Sequence, residues 1–174
     1  MAPSLFRKLF MPQIDRNTIN GFSKRVLKNM RFMAYQRKTQ NEDVHLVTHL
    51  VLSLLGLIIY PYEHYKDTPA LNFKTVTLSA LEADGWCRWT FDPRYQQPKT
   101  LRQLLRRLRN AFAHRRIDFS SDSRRLEEVD IKLWDQNKHD IVEWRTTINA
   151  AALQDFAIRL SRLIDHRINR PVSC

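Results

Sequence analysis

Six consecutive residues, Arg109-Asn110-Ala111-Phe112-Ala113-His114, place a guanidinium, an amide and an imidazole at the end of an amphipathic segment. Arg binds a phosphate through two parallel hydrogen bonds, and His is the side chain best suited to move a proton near neutral pH. Together they point to phosphodiester chemistry. Spacing alone is weak evidence in a chain with 29 Lys plus Arg and 6 His. Placement adds to it, because the pair ends a helical pattern in the most basic stretch of the chain. On a straight helix Asn110 and His114 share a face, whereas Arg109 lies about 140° from His114. The reach of the Arg side chain, unwinding near His114, or a second copy of the motif across a twofold axis would each reconcile the three. We expect the last two to act together.

Two further groups have chemical potential. His45 and His49 are spaced i, i+4, but no Cys or suitably spaced carboxylate completes a metal-ligand set. They are expected to line the cleft that holds His114, or to be satisfied by hydrogen bonds within the fold. Trp86, Arg88, Trp89 and Tyr95 interleave aromatic and basic groups, a composition suited to stacking exposed bases. Such Trp residues more often plug the end of a helical bundle. Trp134 and Trp144 are expected to pack against a helix.

The elements that must position these groups follow from periodicity. Phe22, Val26, Met30 and Met33 fall on one face of a first helix. The run from Val44 to Tyr60 is apolar on nearly every side and reads as the central helix of a bundle, too short to span a bilayer and stopped by Pro61. Loops with one short helix are expected from there to Trp89. Leu101, Leu104, Leu105, Leu108 and Phe112 then repeat at helical spacing, with Arg102, Arg106, Arg107 and Arg109 at other positions. Val129, Ile131 and Leu133 alternate with polar residues, Gln136-Asn137-Lys138-His139 is turn-like, and Ile141 to Trp144 follows, which predicts a β-hairpin. Asn149 can cap a last helix with the stripe Leu153, Phe156, Leu160 and Ile164. The predicted fold is mainly α, a helical bundle with a small β-hairpin inserted before the C-terminal helix.

Composition agrees with one domain of 174 residues, and 3 Gly argue against a loop-rich or all-β chain. A net charge of +11 favours a polyanionic partner, nucleic acid first, although a basic surface also serves solubility. Cys87 and Cys174 offer neither a disulfide framework nor a metal site, which fits a reducing cytoplasm. Residues 1–18 read as a basic arm whose apolar run is interrupted too early for a secretory signal. Neither a membrane role nor a cofactor is expected.

The motif resembles that of the HEPN superfamily, whose ribonuclease members carry an Arg, usually a polar residue next, and a His a few positions on. Val47-Thr48-His49-Leu50 leading into Leu54-Leu55-Gly56-Leu57 and Tyr60-Pro61 is similar to the second helix of the compact, often plasmid-borne HEPN-family nucleases. Phe22-Ser23-Lys24-Arg25 and Ile131-Lys132-Leu133-Trp134-Asp135 match further blocks in the family's order. The chain departs from that pattern at His49, where Gln is expected, and at Arg115, where Gly often follows the His.

The resemblance implies a single HEPN-type domain over residues 19–170 that forms a homodimer and cleaves RNA without a metal. Arg109, Asn110 and His114 would be catalytic, with Asn110 orienting His114 or a phosphate oxygen. Arg106, Arg107, Arg115, Arg116, His45, His49, Trp86 and Arg88 would contact RNA. An antitoxin protein is a further expected partner, in a toxin–antitoxin, phage-defence or stress-response setting. The alternatives are a noncatalytic HEPN module that binds nucleic acid or a nucleotide, and a basic helical DNA-binding protein.

Overall fold

A computed structural model describes residues 16–39, 45–59, 66–68 and 71–169. Along these residues run α1 (Arg16–Thr39), α2 (Leu46–Leu57), α3 (Leu78–Ala83), β1 (Thr90–Phe91), α4 (Leu101–Ala113), β2 (Ile117–Phe119), a 3₁₀ turn (Leu126–Glu128), β3 (Asp130–Gln136), β4 (Val142–Asn149) and α5 (Ala150–Asn169). Residues 1–15 of the expected basic arm lie outside the described residues, and residues 16–18 already belong to α1.

The predicted hairpin is present: β3 and β4 pair antiparallel from Asp130 opposite Asn149 to Gln136 opposite Val142, with a register shift at Asp135/Gln136. It is also the centre of something larger. Two short strands extend it into a four-stranded antiparallel sheet in the order β1-β4-β3-β2. β1 sets Thr90 opposite Thr147, and β2 sets Ile117 opposite Leu133 and Phe119 opposite Ile131. At two and three residues these edge strands are too short to show a period of two in sequence.

Alternation divides the sheet into two faces. Ile131, Leu133, Trp144 and Ile148 are buried in the core with the apolar stripe of α4 and with Leu153, Phe156, Leu160 and Ile164 of α5. Lys132, Trp134, Arg145 and Thr147 line the other face. β4 passes directly into α5, and Asn149 makes the corner: its Oδ1 accepts the Ala151 N–H at 3.0 Å, while its Nδ2 donates to the Glu127 carbonyl at 3.0 Å. The cap expected at Asn149 is therefore formed.

α1 packs against both α2 and α5. Ser161 Oγ of α5 donates to the Ser23 carbonyl of α1 at 3.2 Å. Gly56 permits a close crossing of α1 and α2, since a Cβ there would lie 3.1 Å from Phe22 Cζ. α2 is not enclosed on all sides as its composition predicts. Val47, Leu50, Leu54 and Leu57 are buried, but Leu52 is 62% exposed and Ile59 44%. No helix among the described residues is long and apolar enough to cross a membrane.

Candidate active site

The motif lies at the C-terminal end of α4, and both ends of that helix are fixed locally. At its start Thr100 Oγ1 accepts the Gln103 N–H at 3.3 Å, and Gln103 Oε1 accepts the N–H groups of Thr100 at 3.3 Å and Lys99 at 2.7 Å. This reciprocal capping box satisfies donors that the first turn leaves open. At the other end the helix stops at Ala113. His114 adopts φ −103°, ψ 15°, outside helical values, so the chain unwinds at the motif histidine as expected.

Arg115 then takes φ 56°, in the left-handed region. The Arg116 N–H bonds back to the Ala111 carbonyl at 2.8 Å and the Arg115 N–H to that of Phe112 at 3.3 Å, the pair of reversed bonds of a Schellman ending. Glycine usually fills this position because a side chain there costs roughly 1–2 kcal/mol. The local bonds offset that strain. The His114 side chain is exposed, and Arg109 is half-buried with its Nε shielded from solvent.

Beneath this helix end sits a group that motif reading overlooks. Asp135 of β3 is 1% exposed, and its carboxylate collects donors from three directions. Oδ2 accepts from Arg107 Nη1 and from Asn110 Nδ2, each at 2.9 Å. Oδ1 accepts from Arg116 Nη1 at 3.1 Å and from the Gln136 N–H at 3.0 Å. Arg107 also reaches Glu143 Oε2 at 3.0 Å, and Arg116 the Gln136 carbonyl at 3.2 Å. Burial disfavours the charge on Arg107, but the hydrogen bonds it donates to Asp135 and Glu143 outweigh it and raise its pKa above the usual value.

This hub revises three expected roles. The Asn110 amide nitrogen is committed to Asp135, so Asn110 ties the last turn of α4 to the sheet. Arg107 and Arg116 are held by the same carboxylate, which makes them structural ligands of a buried acid instead of exposed phosphate contacts. Arg106, Arg115 and Arg88 keep exposed side chains. A signal for Asp135 did exist in the sequence: the alternation Ile131, Leu133, Asp135 puts an acid in phase with the buried face.

The remaining candidates scatter. His45, just before α2, lines a cavity of about 350 Å³ with Thr48, Phe119, Ser121 and Asp122. It thus faces residues that follow the motif. His49 Nδ1 lies 3.4 Å from Ser53 Oγ one turn on, a contact within its own helix. Trp86 is half-buried against the core, where it meets Phe156 edge-on at 5.7 Å, and the buried Trp89 does the same at 5.2 Å. Tyr95 carries the guanidinium groups of Arg94 and Arg145 over its ring at 5.7 and 5.8 Å. Trp144 is fully buried in the core, whereas Trp134 departs from the expected helix packing and lines the opposite face of the sheet. Among the described residues no group of three or more His, Cys, Asp or Glu side chains is arranged to hold a metal ion.

No match was found among curated proteins or among solved structures. The model of one protein family, HEPN pEK499 p136, matches residues 11–170, a span that takes in every element from α1 to α5 together with the helix end bearing Arg109 and His114. The chain belongs to the HEPN pEK499 p136 family.

Proposed function

We propose that this chain is a metal-independent endoribonuclease whose reacting groups are His114 and Arg109. Family membership suggests a nuclease or a nucleotide-binding module. The observation that carries the sharper reading is the helix end itself: an exposed imidazole released from helical geometry, on a turn fastened to the buried Asp135 through Asn110. In this mechanism His114 takes the proton of a ribose 2′-hydroxyl, whose oxygen attacks the adjacent phosphorus. Arg109 stabilises the charge that gathers on the phosphoryl oxygens. The 5′-oxygen leaves and takes a proton from solvent, giving a 2′,3′-cyclic phosphate and a 5′-hydroxyl. Asn110 acts as a positioning residue, and Arg115, Arg106 and Arg88 supply exposed positive charge around the site.

A homodimer completes the site in this reading. Thr48 and Leu52 share one face of α2, and Leu52 and Ile59, two residues past its end, leave large apolar area in water. That face begins at the cavity where His45 and Thr48 meet Phe119, which lies five residues beyond His114 and is 46% exposed. An interface on this surface would take in the strand that follows the motif. The test is incubation of purified protein with total RNA beside a His114→Ala variant. Cleavage by the parent alone supports the assignment. Equal cleavage by both overturns it, and RNA binding without cleavage by either leaves a binding module.

A further inference from the structure

The open face of the sheet carries a groove that the reaction above does not use. It encloses about 350 Å³ and is lined by Asp118 of β2, Lys132 and Trp134 of β3, and Arg145 and Thr147 of β4. Register explains the grouping: Trp134 lies opposite Arg145, and Lys132 lies opposite both Thr147 and Asp118. An aromatic ring is thus flanked by two cations on adjacent strands. Among the described residues neither Lys132 nor Arg145 is engaged in an ion pair, and Arg145 rests on the ring of Tyr95. Arg107 and Arg116, by contrast, are paired with Asp135, and Arg107 with Glu143 as well.

We propose that this groove holds an unpaired segment of RNA, one base stacked on Trp134 with its flanking phosphates on Lys132 and Arg145. The inference rests on the reading that the partner is RNA, though not on its cleavage. A half-buried indole on a rigid sheet suits a base in a single strand, whose face is free, and not one stacked in a duplex. Lys132 and Arg145, neither held in a salt bridge among the described residues and both on a chain of net charge +11, match the backbone on either side. Asp118 repels phosphate and accepts a base amino group, so it turns the base edge toward β2. The groove is also coupled to the motif. The backbone N–H of Trp134 donates to the Arg116 carbonyl at 3.2 Å, and the next residue on the strand is Asp135, facing α4.

The test uses full-length protein with His114→Ala, so that RNA stays intact, and a fluorescein-labelled 12-nucleotide RNA, single-stranded or annealed to its complement. Trp134→Ala is expected to weaken single-strand binding roughly tenfold and duplex binding less than about twofold. Trp134→Phe should retain most of the affinity. Lys132→Gln and Arg145→Gln should each flatten the salt dependence by about 0.7 in log–log slope. The substitutions at Lys132, Arg145 and the conservative Phe keep the inference open to refutation should Trp134→Ala fold poorly. Unchanged affinity and slope across these variants would overturn it. So would an equal loss for both RNAs, or a change in oligomeric state with RNA affinity intact, which would mark the groove as a contact between copies. Cleavage is scored separately in the parent: a protein that cuts RNA yet binds it independently of Trp134 loses only this groove, and one that binds through Trp134 without cutting loses only the ribonuclease assignment.

Discussion

Truncation of Asp135 to alanine is expected to destabilise the fold by about 3 kcal/mol. Removing one partner of a buried ion pair typically costs about 3–5 kcal/mol, because the charge left behind stays out of water. Here the side chains of Arg107 and Arg116 are only 16% and 17% exposed, which places them near that regime. Two features move the expectation to its lower end. Arg107 keeps Glu143, and Arg116 keeps the Gln136 carbonyl. Asp135→Asn retains the shape and one acceptor oxygen, so its cost should fall to about 1–2 kcal/mol. Urea unfolding at one fixed protein concentration reads both values, since association would otherwise shift the midpoint. With an m-value of about 1–3 kcal/mol/M, the alanine variant should lose roughly 1–3 M in midpoint. The loss should persist at high salt, which screens exposed pairs far more than buried ones. A loss below about 1 kcal/mol for Asp135→Ala, the range of an exposed pair, would refute the hub as the anchor of α4.

Arg115→Gly should stabilise the protein by about 0.5–1 kcal/mol in thermal or urea unfolding, since glycine accepts φ 56° without strain, and destabilisation would show that the Arg115 side chain makes a compensating contact. Asn149→Ala should cost about 1 kcal/mol through loss of the cap on α5, read by the same assay, and a neutral result would remove the strand-to-helix corner from the stabilising features. RNA cleavage should continue in excess EDTA and should stop when the scissile nucleotide is 2′-deoxy. Chelation-sensitive activity restored by a divalent ion, or efficient cutting of the deoxy substrate, would sink the proposed mechanism.

Elements with long, strongly periodic patterns were legible in the sequence. The leucine stripe of α4, the β3–β4 alternation and the Asn149 cap all match what their residues dictate. β1 and β2 were not, because strands this short exist by pairing with a hairpin already present. The all-round apolarity of α2 misled for a related reason: periodicity reports what residues prefer, and Leu52 and Ile59 stay exposed among the described residues. At the site, the sequence offered residue types without their partners. It marked Asn110, Arg107 and Arg116 as polar or basic groups near His114, but their shared commitment to Asp135 is a contact across at least 19 residues of chain, visible only once the sheet is folded. Trp134 left the helix packing expected of it for the open face of the sheet, because strand phase, and not composition, decides which indole faces the core.

Synthesis runs from the N-terminus, and the carboxylate at Asp135 lies downstream of every side chain it fastens. A nascent chain on the ribosome therefore presents Arg107, Asn110 and Arg116 before their anchor exists. β1 waits in the same way for β4, its neighbour in the sheet. The hairpin made from residues 130–149 supplies both missing parts at once, so the helix end bearing His114 is locked in place only after that hairpin has been made. The helix end that we propose as the ribonuclease site is thus left unfinished during the interval in which the chain is surrounded by the messenger and ribosomal RNA that produce it.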